Sequence, residues 1–249
     1  MLAAATGWER AEIAAHPDRR LPVGASRTFG EMVRRRVRRE PVAYILGRKG
    51  FRRIELIVDR RVLIPRPETE LLVEVALEAR PGTALDVGTG SGAIALAIAD
   101  ELPEARVRGI DTSLDALRVA DANNERLGLS KQVDMVSGGV SSLPEAGFDL
   151  VVANLPYVSE SEWKQLQPEI RDYEPHEAVV GGPTGLEMID ALTTELSKLD
   201  RRPSVLALEI GLGQGERVRG LVEAAGYREV EMRRDLAGIE RVVVGRDAA

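Results

Sequence analysis

Residues 83–93 read Thr-Ala-Leu-Asp-Val-Gly-Thr-Gly-Ser-Gly-Ala, and this stretch decides the fold. An apolar segment at 83–87 is followed by glycines at alternate positions, and an alanine-rich helical pattern begins at Ala93. Glycines at this place let the backbone turn sharply and approach a ligand, because they carry no Cβ. The strand, loop and helix together predict an open α/β sheet that binds a ligand at the carboxyl ends of its strands.

The chain around this loop alternates between short apolar segments and amphipathic helical segments. The predicted strands are Thr83–Val87, Val107–Asp111, Val133–Val136, Phe148–Ala153, Val205–Ile210, Glu229–Arg233 and Glu240–Val244. The predicted helices are Glu68–Ala79, Ala93–Glu101, Leu114–Leu127, Leu186–Leu199 and Glu216–Ala225. This alternation indicates an α/β, Rossmann-like sheet that is mainly parallel and covered on both faces. Only residues 235–238 connect the last two strands, so we expect these two to pair antiparallel.

A smaller helical piece and a hairpin are predicted before the sheet. Residues 1–40 should form short helices interrupted at prolines, the last of them with an apolar face made by Phe29, Met32, Val33 and Val37. Residues 54–58 then alternate apolar and charged side chains as a strand would, 59–61 can turn, and 62–64 can return. The chain is therefore expected to open with helices and a β-hairpin that lead into the main domain.

Composition excludes several classes of protein. The 249 residues contain no cysteine and two histidines, His16 and His176. Disulfide scaffolds, thiolate zinc sites, cysteine nucleophiles and histidine-rich metal sites are therefore excluded, and no metal is expected. No apolar run approaches the ~20 residues of a membrane span, and the N-terminus lacks the pattern of a signal peptide. We expect a soluble, cytoplasmic protein without a membrane partner.

Charge is distributed unevenly along the chain. The net charge is −6, yet residues 27–61 contain twelve Arg and Lys side chains against four acids. This basic segment carries +8, and the rest of the chain carries −14. Such a run is either a solvated face or a docking surface for an acidic or nucleic-acid partner. Contact with RNA through Arg34–Arg61 is therefore one open expectation.

The glycine spacing narrows the choice of cofactor. It is G-x-G-x-G without a following lysine, which excludes a phosphate-binding P-loop and differs from the dinucleotide spacing G-x-G-x-x-G. Asp111 ends the next strand, where its carboxylate can accept hydrogen bonds from the ribose hydroxyls of a nucleoside. A nicotinamide enzyme would use an acid in the same way. The glycine spacing together with Asp86 favours S-adenosylmethionine.

The fourth predicted strand is followed by the motif Asn154-Leu155-Pro156-Tyr157. These four residues are suited to holding an NH₂ group that is to be methylated. An amide or aromatic amine nitrogen is a poor nucleophile because its lone pair is delocalised. The Asn154 side-chain oxygen and the Leu155 backbone carbonyl can each accept one N–H of an NH₂ group and hold its nitrogen facing a methyl donor. Pro156 stiffens the turn, and Tyr157 can stack on a planar group. Catalysis would rest mainly on positioning and electrostatics.

With these pieces assembled, the chain resembles the HemK/PrmC-type release factor glutamine methyltransferases from about residue 7 onward. The motifs that carry the resemblance are the glycine loop, Asn154–Tyr157, Glu40-Pro41-Val42-Ala43-Tyr44-Ile45-Leu46-Gly47, Leu63-Ile64-Pro65-Arg66-Pro67-Glu68-Thr69-Glu70 and Gly181-Gly182-Pro183-Thr184-Gly185-Leu186. The resemblance implies a seven-stranded class I methyltransferase sheet that uses S-adenosylmethionine. It also implies N5-methylation of the glutamine side-chain amide in the Gly-Gly-Gln motif of peptide chain release factors.

The resemblance also implies which parts of the chain do what. Residues 1–47 would be a helical piece that recognises the protein substrate, 48–66 a β-hairpin linker and 67–249 the methyltransferase domain. The residues expected to bind the cofactor are Asp86, Gly88, Thr89, Gly90, Ser91, Gly92, Asp111, Gly139 and Asn154. The residues expected to bind the substrate are Asn154, Leu155, Pro156, Tyr157 and Arg66, with Asn154, Pro156 and Tyr157 catalytic. For Arg66, a surface ion pair is an equally open interpretation.

Three features depart from the family pattern. Leu155 replaces the usual first proline of Asn-Pro-Pro-Tyr, which reduces rigidity but keeps the backbone carbonyl. Gly138-Gly139 stand where relatives often carry an acid and an aromatic residue near the adenine. The N-terminal helical domain is shortened relative to the family.

Two other functions remain open on the sequence. Asn-Leu-Pro-Tyr also resembles the motif of ribosomal RNA adenine dimethyltransferases, so an N6-adenine methyltransferase acting on RNA or DNA is the alternative substrate class. The basic segment would support it, since phosphate contacts depend on such charge. A cofactor-binding interaction module without turnover is the third reading, suggested by Gly138-Gly139 and opposed by the intact Asn154.

Overall fold

The alternation of strands and helices is present in a computed structural model, which describes residues 1–143 and 147–247. The strands are β1 (Arg48–Phe51), β2 (Ile54–Ile57), β3 (Thr83–Val87), β4 (Arg106–Asp111), β5 (Val133–Ser137), β6 (Leu150–Ala153), β7 (Val158–Ser159), β8 (Val180–Gly182), β9 (Val205–Glu209), β10 (Glu229–Arg234) and β11 (Glu240–Arg246). The helices are α1 (Leu2–Thr6), α2 (Arg10–Ala15), α3 (Val23–Val37), α4 (Val42–Leu46), α5 (Glu70–Ala79), α6 (Ala93–Glu101), α7 (Leu114–Leu127), α8 (Glu160–Trp163), α9 (Pro168–Arg171), α10 (Glu187–Ser197) and α11 (Gly215–Ala224).

Among the described residues, seven strands form the central sheet in the order β10-β11-β9-β6-β3-β4-β5. Strands β3, β4, β5, β6 and β9 are parallel, whereas β11 runs antiparallel to both β9 and β10. The predicted Rossmann-like sheet and its antiparallel last pair are therefore confirmed. From β3 the chain first builds outward through β4 and β5 and then returns to place β6 on the other side of β3. This reversal opens a crevice at the carboxyl ends of β3 and β6, where ligands bind in open α/β sheets.

Helices cover both faces of the sheet. On one face, α5, α6 and α7 pack with the β1–β2 hairpin, and every residue of α6 from Ala93 to Ala99 is buried. On the other face, α10 and α11 pack against the same strands. The central strand β6 is buried along its whole length because it has a neighbouring strand on each side and helices above and below. Alanine-rich α6 fits this place because small side chains let it approach the sheet closely.

The hairpin lies one segment earlier than its predicted position. β1 pairs antiparallel with β2, and the turn falls at Arg52, whose φ is +49°. Residues 62–64 were expected to return as a strand, and this prediction is wrong. Their backbone groups instead bind side chains: the Tyr44 hydroxyl donates to the Val62 carbonyl at 2.6 Å, and the Ile64 N–H donates to Glu174. The side-chain partners replace the ladder that a second strand would supply.

One further expectation for the front of the chain needs correction, and one pair of strands was not predicted. Helix α3 buries only Ala25, and its predicted apolar face is partly solvated, since Val37 is 76% exposed. Strands β7 and β8, which the sequence pattern did not predict, form a small parallel pair just after the Asn154–Tyr157 motif. The other predicted strands and helices of the main sheet lie within two residues of their observed ends.

No helix in the described ranges is both long and apolar enough to cross a membrane.

Candidate active site

A cleft opens at the carboxyl ends of β3, β4 and β6. It encloses about 770 Å³ of space, a figure that includes open solvent. The glycine loop after β3, Asp111 at the end of β4 and Asn154 after β6 all face it. The lining also includes apolar side chains, namely Val62, Leu63, Val87, Ala116, Val140, Leu155 and Met188, and the polar residues Arg61, Thr112, Ser113 and Glu177.

Only part of the glycine loop faces the cleft. The backbones of Gly88 and Gly90 line it, and both residues have positive φ, at +76° and +56°. Thr89 and Ser91, by contrast, are buried beneath the loop. Gly92 directly precedes α6, and its φ of +81° favours glycine because L side chains rarely adopt this conformation.

Asp86 lies under the loop rather than in the cleft. It is fully buried, and its Oδ2 accepts hydrogen bonds from the Thr89 hydroxyl at 2.7 Å and from the Ala95 N–H at 3.2 Å. Its Oδ1 has no hydrogen-bond partner among the described residues. Burial raises the pKa of Asp86 to about 7, although the two hydrogen bonds oppose the shift. The carboxyl group therefore shapes the loop and leaves one polar atom for a further partner.

Asp111 has the position expected of a ribose-binding acid. Its half-buried carboxylate lines the cleft, and it accepts the Gly90 N–H at 2.9 Å and the Ser113 N–H at 2.9 Å. Burial raises its pKa above the usual range despite these bonds. A carboxylate has about four acceptor positions, so Asp111 can anchor the glycine loop and still accept hydroxyl groups from a ligand.

The Gly138–Gly139 pair follows β5 in the chain. Both residues line the cleft, and a Cβ at Gly139 would lie 2.7 Å from Thr112 Cγ2. Neither glycine projects a side chain into the cleft, and the backbone of Gly139 lies close to Thr112, just after β4.

Asn154 is oriented by a contact that the sequence did not predict. Its side-chain Nδ2 donates to the Thr69 hydroxyl at 3.1 Å. Thr69 lies at the start of the α5 region and is 3% exposed. Because the Asn154 amide nitrogen is engaged there, its Oδ1 is left to accept a hydrogen bond from a group in the cleft.

The next three residues divide between the cleft and the interior. Leu155 lines the cleft but is 4% exposed, and its Cδ2 would lie 3.2 Å from a Cβ at Gly88. Pro156 lines the cleft as well. The Tyr157 hydroxyl instead donates to Glu209 Oε1 at 3.2 Å, and burial raises the pKa of the phenol. Tyr157 is therefore held at the end of β9 and does not line this cleft.

The glycine segment 181–185, which precedes α10, packs closely against the backbone of the Asn154–Tyr157 motif. A Cβ at Gly181 would lie 2.2 Å from the Pro156 carbonyl oxygen, and one at Gly185 would lie 2.2 Å from the Tyr157 carbonyl oxygen. The Gln214 side chain donates to the same Tyr157 carbonyl at 2.9 Å. The second glycine cluster, 211–215, thus supports the motif and does not line the cleft.

Arg66 pairs with a buried acid. Its guanidinium contacts Glu174, whose side chain is 1% exposed and also accepts the Ile64 N–H at 3.0 Å. Glu174 therefore joins the segment before α5 to the segment after the Asn154–Tyr157 motif. Arg66 itself lies outside the lining of the cleft, and the ion-pair interpretation describes its contacts in this structure.

Four of the twelve basic side chains of the basic segment pair with acids elsewhere in the described part of the chain. Arg36 and Arg39 both bind the Glu169 carboxylate at 2.8 Å, and Arg52 binds Glu101 at 2.8 Å. The Tyr173 hydroxyl donates to the Arg38 carbonyl at 2.6 Å. These contacts join the front of the chain to the sheet domain, and they use a minority of the basic side chains of the segment.

The structure thus brings together part of the predicted site. Gly88, Gly90, Asp111, Gly139, Asn154, Leu155 and Pro156 line one cleft, while Asp86, Thr89, Ser91, Gly92, Tyr157 and Arg66 surround or support it. Sequence reasoning missed Thr69, Glu174 and Glu209. For Glu209 there was a usable signal, because a carboxylate in the apolar run 205–210 is unusual and points to a role.

Comparisons with known proteins agree with this architecture. A family model described as a methyltransferase domain matches residues 84–173, and one described as the PrmC N-terminal domain matches residues 1–47. Human METTL16 catalytic domain in complex with an RNA hairpin of the MAT2A 3′UTR has a TM-score of 0.63 at 14% identity, over 78% of this chain and 76% of that one. A methyltransferase from Pyrococcus furiosus has a TM-score of 0.58 at 18% identity, over 78% and 89%. Fold and cleft define a class I methyltransferase.

Curated relatives narrow the class to one family. The release factor glutamine methyltransferase of Caulobacter vibrioides is 42% identical over 98% of this chain and 86% of its own length. That of Geobacter sulfurreducens is 38% identical over 99% and 87%. The chain belongs to the release factor glutamine methyltransferase family. The resemblance carried by the motifs is confirmed, and the adenine-methylating alternative is not favoured.

Proposed function

We propose that this protein transfers a methyl group from S-adenosylmethionine to the side-chain amide nitrogen of the glutamine in the Gly-Gly-Gln motif of a peptide chain release factor. The observation that carries the proposal is the orientation of Asn154. Its amide nitrogen is tied to Thr69 while the residue lines the cleft, which leaves an acceptor oxygen for an NH₂ group. Membership of the family supports the same substrate.

The cleft fits S-adenosylmethionine in the chemistry of its lining. Asp111 supplies a carboxylate for ribose hydroxyls, the apolar wall of Ala116, Val140 and Gly139 suits a purine, and the glycine loop offers backbone without Cβ atoms. When bound, the cofactor supplies an electrophilic methyl carbon whose bond to sulfur breaks as the acceptor nitrogen bonds to it.

The chain's own part in the reaction is positioning. Asn154 Oδ1 accepts one N–H of the substrate amide, and the Leu155 carbonyl accepts the other, which directs the nitrogen lone pair toward the methyl donor. Pro156 and the contacts of Gly181 and Gln214 hold that backbone in place. The nitrogen loses its extra proton to solvent after transfer. No side chain acts as a nucleophile, in keeping with the absence of cysteine.

Residues 1–47 are proposed to help hold the protein substrate, with 48–66 as the linker to the methyltransferase domain at 67–249. Support comes from the match of residues 1–47 to the PrmC N-terminal domain and from the exposed face of α3. RNA contact through the basic segment is less supported, because Arg36, Arg39 and Arg52 already bind acids of this chain.

Methyl labelling tests the substrate. The protein is incubated with methyl-labelled S-adenosylmethionine and, in separate reactions, purified release factor, release factor with Glu in place of the motif glutamine, tRNA and ribosomal RNA. We expect label on the unmodified release factor alone. Label on RNA but not on release factor would overturn the proposal and restore the adenine alternative.

Asn154→Ala tests the amide clamp. Removing the acceptor oxygen should lower kcat by about 10²–10³, the usual effect of losing one preorganised hydrogen-bonding group at a reacting centre. The cofactor Kd, measured by calorimetry, should change much less, because Asp111 and the glycine loop are unaltered. Turnover equal to wild type would reject the clamp.

A further inference from the structure

Residues 160–178 form a connecting segment between the helical front of the chain and the rim of the cleft. The segment follows the Asn154–Tyr157 motif and contains α8 and α9. Near its end, Pro175, Glu177 and Ala178 line the cleft. Its middle part reaches the C-terminal end of α3, which belongs to the helical piece proposed to help hold the protein substrate.

Glu169 on α9 makes the main contact with α3. Its carboxylate binds Arg36 through Oε1 and Arg39 through Oε2, each at 2.8 Å, so both oxygens are engaged. The Glu169 side chain is only 16% exposed. Close by, the Tyr173 hydroxyl donates at 2.6 Å to the Arg38 carbonyl, a group that the end of the helix leaves without an intrahelical partner. The end of α3 is therefore held to the connecting segment by a shared carboxylate and a phenol.

The connecting segment is also anchored independently of α3. Buried Glu174 accepts the Ile64 N–H at 3.0 Å and pairs with Arg66. Just beyond the segment, the Val158 N–H donates to the Val179 carbonyl at 3.1 Å, which ties it to the backbone that follows the motif. The rim of the cleft should therefore stay in place if the contact with α3 is lost.

Helix α3 depends more strongly on Glu169. It buries only Ala25, and its other side-chain hydrogen bonds in the described part of the chain stay within residues 1–47. With 15 residues, the helix is about 22 Å long, so a rotation of about 10° at one end moves the other end by about 4 Å. Losing the Glu169 contact should therefore change where the front of the chain is presented.

We propose that Glu169 is a positioning residue that fixes the orientation of α3 relative to the cleft. A protein substrate held by residues 1–47 then presents its motif glutamine to Asn154, whereas a substrate too short to reach α3 gains nothing from the contact. This inference rests on the proposed function, because it concerns how the same cleft receives a substrate of protein size.

Glu169→Gln tests the role by comparing two substrates, because it removes the charge and keeps the shape of the side chain. With release factor, kcat/KM should fall by about three- to fivefold, mostly through KM, as expected for losing a partly exposed ion pair. With a short peptide that contains Gly-Gly-Gln, kcat/KM should equal that of wild type. Glu160→Gln, at an exposed position on α8 of the same segment, is the matched control and should change neither. An equal loss with both substrates, or a loss with neither, would overturn the positioning role.

A distance measurement tests the same contact without any reaction. Because the chain has no cysteine, Val23→Cys on α3 and Leu236→Cys between β10 and β11 provide two unique sites for spin labels, and both positions are exposed. The distribution of distances between the two spin labels should be narrow with Glu169 present and should broaden or shift with Glu169→Gln. An unchanged distribution would overturn the proposal.

The arginine partners complete the test. The double variant Arg36→Gln with Arg39→Gln should match Glu169→Gln in both assays, and combining all three changes should add nothing, because they remove one shared contact. A rise in KM with the arginine variants but not with Glu169→Gln would show that the arginines bind the release factor directly, which would overturn the proposal. Absence of methyl transfer to release factor by the wild-type protein would instead overturn the proposed function, and the distance measurement would still decide the orientation of α3.

Discussion

Asp86 should make the stability of this protein depend on pH near neutrality. The carboxyl group is fully buried, and burial raises its pKa from 3.8 to about 7. The folded protein therefore keeps a proton on Asp86 that the unfolded chain has already lost at the same pH. The stabilising contribution of the protonated Asp86 is then fully present below pH ~4 and is lost as the pH rises toward 7. Asp86→Asn removes this contribution because the amide does not titrate.

The expected size follows from the pKa difference. Each pKa unit corresponds to about 1.4 kcal/mol. Between pH 5 and pH 7 the folded carboxyl is mostly protonated and the unfolded one mostly ionised, so the free energy of unfolding should drop by about 2–3 kcal/mol over this interval. For a chain of this length, 1 kcal/mol shifts Tm by roughly 2–4 °C. Asp86 alone should therefore lower Tm by about 5–10 °C across the interval.

The assay is thermal unfolding followed by circular dichroism at pH 5, 6, 7 and 8, without cofactor. Burial also raises the pKa of Glu209 and Asp111, so wild type should lose stability for several reasons. The difference between wild type and Asp86→Asn isolates the one group. Asp115→Asn, on the exposed surface of α7, is the matched control and should keep the wild-type pH profile. Equal pH profiles for wild type and Asp86→Asn would refute the reasoning.

Three further changes test other parts of the structure. Gly181→Ala places a Cβ 2.2 Å from the Pro156 carbonyl oxygen, so it should lower the free energy of unfolding by at least ~2 kcal/mol and also lower kcat. Gly220→Ala, in open space on α11, is the control and should raise the free energy of unfolding by about 0.5–1 kcal/mol in urea titrations. Equal effects of the two substitutions would contradict this prediction. Glu174→Ala removes the acceptor of the buried Ile64 N–H and of the Arg66 guanidinium, so the free energy of unfolding, followed through Tm, should fall by about 2–4 kcal/mol. A fall below about 0.5 kcal/mol would show that the Arg66–Glu174 pair contributes no more than a surface contact. Arg34→Glu, on exposed α3, should raise KM for release factor and leave the cofactor Kd unchanged. An unchanged KM would favour the interpretation of the basic segment as a solvated face.

The architecture followed from local patterns in the sequence. Apolar runs of strand length separated by helical periodicity predicted the sheet, because burial on both faces of a parallel sheet requires them. The glycine spacing at 88–92 and the motif at 154–157 were visible for the same reason: each is a contiguous set of residues whose chemistry depends on neighbours in the chain. The family, too, could be identified from contiguous motifs alone.

The hairpin shows where such patterns fail. Residues 62–64 have strand-like composition, yet their backbone groups bind Tyr44 and Glu174. Nothing local distinguishes an apolar triplet that pairs with a strand from one that pairs with side chains. The competing partner, Glu174, lies 110 residues further along the chain and becomes a neighbour only after folding.

By itself, the sequence determined the sheet, the order of its elements, the glycine loop and several of the residues that line the cleft. Only the tertiary structure decided how those residues are held. Asn154 forms a hydrogen bond with Thr69, which is 85 residues away in the sequence, and Tyr157 forms one with Glu209, which is 52 residues away. Arg36 and Arg39, two of the twelve basic side chains of the basic segment, pair with Glu169. The physical reason is that hydrogen bonds and ion pairs depend on distance and direction in space, and these exist only once β3, β6 and β9 lie side by side.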